Sequence, residues 1–240
     1  MTFNEILNFR RSIRFYKPIS IDPEKVRQCV EFSTLAPNSS NMQLWEFYHV
    51  TDPAVIKQLA VACLNQTAAT TAQQVVVFVT RQDLFRKRAK SILEMEVQNI
   101  KRNSEDSAQK RRIEQRNLYY GKVMPFLYSR FFGLLGLFRL AFVHVVGLFR
   151  PIVYQVSEND MRVVVHKTCA LAAQTFMLAM SNEGYDTCPM EGFDSRRTKQ
   201  ILKLPAGAEI NMIISCGIRD EKGVWGDRVR IPFDQVYKRV

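Results

Sequence analysis

Two kinds of hydrophobic pattern alternate along the chain. Capping residues followed by apolar positions three or four apart, or by helix-forming residues without Gly or Pro, are typical of helices. They predict six helices, at 2–9, from Pro23 to near Pro37, and at 53–63, 84–118, 160–183 and 195–202. Runs of β-branched and aromatic residues predict strands over 45–51, 75–79 and 210–218. Helices interspersed with a few buried strands indicate an α+β domain.

The predicted helix starts are marked by residues that satisfy free backbone amides. Thr2 and Glu5 have the spacing of a capping box. Asp22-Pro23 and Asp52-Pro53 each place a capping carboxylate directly before a proline. Gly184 is the expected C-terminal stop of the 160–183 helix.

Residues 125–156 do not fit this plan. Phe, Leu and Val dominate over 126–154, and the length would span a bilayer. Three glycines would permit a bent or paired helical arm instead: Gly133, Gly136 and Gly147. We therefore expect one domain over 1–240 with this segment inserted as a hydrophobic lid or dimer arm. Attachment to a membrane surface, helped by a basic neighbouring segment, is the alternative.

Composition narrows the class of protein. The 240 residues are 47% hydrophobic and 24% charged, which is ordinary for a globular protein. The net charge of +11 is concentrated between Arg81 and Arg130, where thirteen Lys and Arg face six Asp and Glu. No zinc-finger, RNP-like or helix-turn-helix signature accompanies it, which argues against nucleic acid. Five scattered cysteines and three distant histidines predict reduced thiols in a cytoplasm and no metal site.

Two short motifs near the start of the chain carry the candidate chemistry. Arg10-Arg11-Ser12-Ile13-Arg14 packs three cations and a hydroxyl into five positions. Guanidinium groups form charge-assisted, bidentate hydrogen bonds with phosphate oxygens, although such a cluster could also be a solvated helix end. The segment 36–45 places small polar residues around Pro37, as an ordinary turn also would. Such a loop can meet the edge of a flat heterocycle, so the two motifs together suggest a mononucleotide cofactor.

In order and spacing, four segments of the chain resemble the FMN-dependent nitroreductase family. The family opens with an Arg-x-Ser-x-Arg/Lys element and continues with a Pro-Ser-x-x-Asn-x-Gln-x-Trp-like loop, to which Gln43 and Trp45 belong here. A Pro-hydrophobic-Glu-Gly turn and a late basic-x-Arg pair follow, matched by Pro189–Gly192 and Arg228–Arg230. The resemblance extends over roughly 1–80 and 160–235.

The resemblance implies a nitroreductase-type fold, a mixed sheet flanked by helices, in an intertwined homodimer with two FMN sites at the interface. Arg10, Ser12, Arg14 and Arg230 would meet the phosphate and ribityl chain, with Arg228 close by and Arg11 against the ring or the phosphate. The loop residues implied to reach the flavin of the partner subunit are Pro37, Asn38, Ser39 and Asn41.

Three further segments of this family pattern concern the flavin ring. The backbone of Pro189, Met190, Glu191 and Gly192 would lie along the flavin, with the Glu191 amide near N5. Asn65 matches a family asparagine that bonds the isoalloxazine. Three residues later, where many relatives have a Lys near N1/O2, this chain has Ala68. That departure leaves the substrate class more open than flavin binding.

The activity implied is NAD(P)H-dependent reduction of nitroaromatic, quinone or similar electron-poor acceptors by a ping-pong hydride mechanism, with no catalytic side chain. NADH and NADPH both remain open as donors. Two alternatives are a same-fold flavin enzyme doing reductive dehalogenation or flavin fragmentation, and a membrane-associated flavin-binding module. A single membrane span at 125–156 would separate Arg10–Arg14 from Arg228–Arg230, so we expect a cytoplasmic protein.

Overall fold

The computed structural model describes residues 1–240. Four strands form the sheet: β1 (Trp45–Val50), β2 (Gln74–Thr80), β3 (Asp186–Met190) and β4 (Glu209–Gly217). Eleven helices surround it: α1 (Phe3–Phe9), α2 (Pro23–Ser33), α3 (Pro53–Ala62), α4 (Thr67–Thr70), α5 (Phe85–Asn103), α6 (Asp106–Leu118), α7 (Met124–Tyr128), α8 (Leu134–Gly147), α9 (Glu158–Asn182), α10 (Ser195–Ile201) and α11 (Phe233–Val236).

The strands lie in the order β1-β2-β4-β3, and every ladder is antiparallel. A parallel pairing occurs outside the ladders, as an isolated bridge between Ser12 and Thr187. The arrangement of helices around this sheet confirms the predicted α+β class. β2 is buried along its whole length, as its continuous apolar run predicts, because both of its faces are covered.

Two hydrophobic clusters cover the two faces of the sheet. On one face Phe78 and Ile214 pack against Phe176 of α9, with the Phe78 and Phe176 ring centroids 5.5 Å apart. On the other face Val77 and Ile213 pack in one cluster with Leu59 of α3. The alternation of side chains along β2 and β4 therefore divides the core into two layers.

Helix caps agree with the sequence predictions at several ends. The capping box of Thr2 and Glu5 is formed, and Asp22 and Asp52 cap α2 and α3. α2 nevertheless ends at Ser33, earlier than predicted, because the chain continues in i→i+3 turns towards residue 36. The predicted 84–118 helix is two helices, since Ser104 is extended and its carbonyl accepts the side-chain amide of Gln109.

The segment 125–156, here called the arm, begins in α7, turns at Gly133 and continues as α8 and an irregular return. Gly133 has φ +83°, a conformation that favours glycine. α8 has 14 residues, fewer than the about 20 needed to cross a bilayer. The helix long and apolar enough to cross one by length and composition is α9, whose inner face is buried against the sheet. Long core helices meet that criterion too.

Candidate functional site

The N-terminal arginine motif is held in place by the edge of the sheet. The Ile13 amide donates to the Thr187 carbonyl of β3 at 3.1 Å, and the Arg14 amide to the Gly223 carbonyl at 3.0 Å. A Cβ on Gly223 would lie 2.3 Å from the Phe15 carbonyl oxygen, so only glycine allows this approach. The motif is thus fixed between β3 and the beginning of the C-terminal tail, which is the chain after the end of β4 at Gly217.

This arrangement encloses a cavity of about 280 Å³, here called the clamp cavity. Its wall contains the four residues predicted for the phosphate and ribityl chain, Arg10, Ser12, Arg14 and Arg230, together with Arg228, predicted close by, and Arg11, predicted against the ring or the phosphate. The tail supplies the rest of the wall, including Trp225 and a single carboxylate, Asp227. Five guanidinium groups thus face one acid, a balance that suits an anionic ligand.

The charges of the clamp cavity act on one another. Burial lowers the pKa of Arg10, and the positive charges of Arg228, Arg230 and Arg11 lower it further. Repulsion of this kind disfavours the protonated form of a group that nonetheless stays charged at neutral pH. An anion in the cavity would relieve that repulsion.

The arginines of the clamp cavity have different hydrogen-bond partners. Arg228 donates to backbone carbonyls of Leu7 and Asn8 at 3.1 Å and of Arg10 at 2.8 Å, at the C-terminal end of α1. Arg11 donates to the Gly226 carbonyl at 2.8 Å. Arg228 therefore positions Arg10, a role that the sequence motif alone does not specify.

Arg14 and Arg230 have fewer polar partners within the chain. The Arg14 guanidinium lies 5.0 Å from the ring centroid of Trp225, within the distance of a cation–π contact. Arg230 donates to the carbonyl of its neighbour Val229 at 2.7 Å. Both side chains keep donors free for a ligand.

The Pro189–Gly192 segment lies at the end of β3, where Met190 is buried and Glu191 is exposed. Gln66 joins it to the turn after α3, since its side-chain amide donates to the Gly192 carbonyl at 2.7 Å and to the Cys63 carbonyl at 3.0 Å. Sequence reasoning missed Gln66, which follows the predicted Asn65 directly. Asn65 has φ +53° and is exposed beside this junction.

Ala68, the position that departs from the family pattern, is 2% exposed and belongs to the same core cluster as Met190. A methyl group at this position fills a packed interior. The position offers no cation to a ligand.

The 37–43 loop is shaped by unusual backbone geometry. Ser40, Asn41 and Gln43 all have φ near +50°. The Asn38 side-chain oxygen accepts a hydrogen bond from the Gln43 backbone amide at 2.9 Å, which gives that amide a partner within the turn. The Ser40 hydroxyl is hydrogen-bonded to the Tyr119 hydroxyl at 2.8 Å, which fastens the loop to the helical turn that precedes the arm.

This loop borders a second cavity and not the first. A largely apolar cavity of about 600 Å³, here called the arm cavity, lies between Ser39 and Ser40 and the α7, α8 and 150–156 parts of the arm. None of the clamp residues lines it. One chain therefore places the predicted phosphate residues and the predicted loop residues at separate surfaces.

Other reactive groups are buried or dispersed. All five cysteines are buried and unpaired. Burial raises the pKa of the Cys29 and Cys63 thiols to about 11, which keeps them protonated at neutral pH. No three His, Cys, Asp or Glu side chains cluster as metal ligands would.

Comparison with known proteins gives consistent matches. The sequence profile of the nitroreductase family matches residues 7–218. Protein DrgA of Synechocystis sp. is 26% identical over 221 residues, which cover 92% of this chain and 85% of that protein. The proposed NAD(P)H nitroreductase MhqN of Bacillus subtilis is 24% identical, covering 90% of this chain and 87% of its own. A proposed nitroreductase of Exiguobacterium sibiricum, solved in complex with FMN, aligns with a TM-score of 0.67 at 21% identity, over 100% of this chain and 98% of its own.

Proposed function

Because the chain belongs to the nitroreductase family, we propose that it is an FMN-dependent oxidoreductase driven by NADH or NADPH. The observation that carries this proposal is the clamp cavity, in which five arginines face a single carboxylate. A phosphate monoester is the anionic end of FMN, and arginine is the side chain best suited to grip it.

In this proposal Arg10, Ser12, Arg14 and Arg230 hold the phosphate and the ribityl chain. Arg228 acts as a positioning residue, because its guanidinium is occupied by backbone carbonyls at the end of α1. Such a fixed frame favours binding, since little side-chain freedom remains to be lost.

The end of β3 would hold the flavin ring. The Pro189–Gly192 backbone and Asn65 are joined through Gln66, so they form one surface. FMN, when bound, supplies the hydride acceptor and donor that a ping-pong reduction of nitroaromatic or quinone compounds requires. No buried nucleophile or acid is needed from the chain, and we assign no catalytic side chain.

We further propose that two subunits complete each site. The Pro37–Asn41 loop lies at the arm cavity, away from the clamp cavity of its own chain. A second copy would bring the loop of one subunit to the clamp of the other. The same contact would cover the outer face of the arm, where Phe132 is 94% and Phe149 84% exposed.

In this proposal the arm is a lid over the flavin and selects the acceptor. The lining of the arm cavity is mainly apolar. Because 12 of the 17 residues that line the arm cavity are hydrophobic, reduction of apolar, electron-poor rings fits better than reductive dehalogenation or flavin fragmentation. Membrane attachment through the exposed arm residues is the competing explanation of the same surface.

The central experiment measures FMN binding by fluorescence titration in Arg10→Ala and Arg230→Ala proteins. Each variant should weaken binding by about 1.5–3 kcal/mol, the range for hydrogen bonds to charged groups. Arg196→Ala, at an exposed arginine outside both cavities, is the matched control and should bind normally. A colourless wild-type protein that takes up no FMN would refute the proposal.

Anaerobic titration of the FMN-loaded protein then identifies the electron donor, since bleaching of the flavin absorbance by NADH or NADPH reports reduction.

Removal of residues 130–155 tests the lid. A yellow dimer with altered acceptor preference is expected. Unchanged kinetics together with loss of binding to anionic liposomes would assign the arm to a membrane instead.

A further inference from the structure

Arg139 of α8 lies in the wall of the arm cavity and is 1% exposed. Its Nη1 donates to the backbone carbonyls of Phe126 at 2.6 Å, Leu127 at 2.8 Å and Ser129 at 3.2 Å. Its Nε and Nη2 are buried and have no hydrogen-bond partner. The Nη1 group of Arg139 is thus fixed by the end of α7, whereas the Nε and Nη2 donors lack hydrogen-bond acceptors.

No carboxylate is paired with Arg139. The nearby acid Glu158 accepts backbone amides of Phe131 and Gly133 at 3.0 Å and of Gly136 at 3.4 Å. Burial lowers the pKa of Arg139, and the negative charge of Glu158 opposes this only in part. A buried guanidinium with free N–H groups is unfavourable unless an anion joins it.

The surroundings of Arg139 define what kind of anion fits. The arm cavity has a volume of about 600 Å³, within the range of small-molecule sites, and most of its lining is apolar, including Phe142, Val143 and Val156. No Asp or Glu lines it. The Nε and Nη2 donors of an arginine point in parallel and match the two oxygens of a carboxylate. The cavity thus combines an apolar volume with one desolvated, bidentate cation.

We propose that the arm cavity binds an amphipathic monocarboxylate, such as a free fatty acid. The carboxylate would lie on Nε and Nη2 of Arg139, and the alkyl chain would lie along the apolar wall. An uncharged ligand of the same shape would leave both donors unsatisfied. The inference concerns the cavity that the proposed function assigns to the lid, but it depends on contacts within the arm, so it can fail without the flavin chemistry failing.

The test compares decanoate with 1-decanol by isothermal titration calorimetry of the purified full-length protein, each ligand below its aggregation concentration. Decanoate should bind at least about 10-fold more tightly than 1-decanol, as expected for a charge-assisted pair. Arg139→Met should weaken decanoate binding by about 10- to 100-fold and leave 1-decanol binding essentially unchanged.

Arg196→Met is the control, because Arg196 is exposed and lines neither cavity. Solvent screens an exposed charge, so the control should change decanoate binding little. If Arg139→Met does not fold, Val143→Phe keeps the cation and fills the cavity, and both ligands should then bind more weakly. Equal affinity of wild type for the two ligands, no binding of either, or equal losses in the two arginine variants would overturn the proposal.

Discussion

The clamp cavity and the arm cavity both contain arginines, but they hold positive charge in opposite ways. In the clamp cavity five guanidinium groups crowd together, and several remain in contact with solvent. In the arm cavity one guanidinium, that of Arg139, is removed from water and lacks an acidic partner. Crowded cations near water indicate a multiply charged ligand, whereas a lone desolvated cation indicates one charge on an apolar molecule.

The frames behind the two cavities differ as well. Next to the clamp cavity, Asp186 at the start of β3 is a buried acid that is fully paired with Arg219. Behind the arm cavity, backbone carbonyls take the place of a counter-charge. The stability of the first frame should therefore depend on ionic pairing, and that of the second on packing.

The largest expected effect tests the ionic frame. Asp186 accepts the Arg219 backbone amide at 2.7 Å and its Nε at 2.9 Å. Asp186→Asn should lower the free energy of unfolding by about 3 kcal/mol, because it leaves a partly buried guanidinium unpaired. Urea denaturation measures this. Asp22→Asn makes the same chemical change at an exposed cap that Asn also satisfies, and should cost under about 0.5 kcal/mol. Equal effects would contradict the distinction.

The second prediction concerns the start of β4, where Glu209 is bonded to Arg130 of the arm and to Arg162 and His166 of α9. These bonds, that from His166 foremost, hold the pKa of Glu209 at about 2, below its ordinary value of 4.5. A lowered pKa in the folded state stabilises the protein above pH 4.5, and this contribution is lost as the pH falls towards 2.

Glu209→Gln should therefore reduce the free energy of unfolding at pH 7 by about 2 kcal/mol. The difference from wild type should shrink between pH 4.5 and pH 2, measured by urea unfolding at successive pH values. Glu94→Gln, at an exposed acid outside the ion pairs of the chain, should leave the profile unchanged. A constant difference across this pH range would show that Glu209 acts through packing alone.

A third prediction tests packing in the arm with two equal substitutions in α8. A Cβ at Gly136 would lie 2.7 Å from the Glu158 backbone nitrogen, whereas one at Gly147 would meet the Tyr154 hydroxyl, the far end of a partly exposed side chain. Gly136→Ala should destabilise by about 1–2 kcal/mol through overpacking. Gly147→Ala should cost less, since Tyr154 can swing away. Thermal unfolding compares the two, and the reverse order would refute a rigid contact between α8 and the start of α9.

The smallest expected effect belongs to the lone cation. Without added ligand, Arg139→Met should change the free energy of unfolding by less than about 1 kcal/mol, because lost hydrogen bonds offset removal of an unpaired buried charge. The contrast with Asp186→Asn is the informative quantity, and both are measured by urea denaturation in one buffer. A loss as large as that of Asp186→Asn would make Arg139 a purely structural cap of α7.

Local signals in the sequence determined much of the fold. The capping box of Thr2 and Glu5, the Asp-Pro starts of α2 and α3, and the apolar run of β2 act over a few residues, and the chain folds as they predict. The arginine motif and the family pattern could also be recognised in the sequence, because each depends on residue types at fixed spacing. The break at Ser104 was not, since no Gly or Pro marks it.

Tertiary structure decided what each charged side chain faces. Arg10 and Arg228 are both arginines in recognisable motifs, yet only the packed chain turns Arg228 onto the carbonyls of α1. In the sequence, Arg139 is a charged residue within an apolar stretch and carries no sign of burial. In the folded chain it is buried against the end of α7. Sequence spacing fixes which side chains share a helix or a strand. Burial and charge balance depend on residues far apart in the chain, so only the assembled structure determines them.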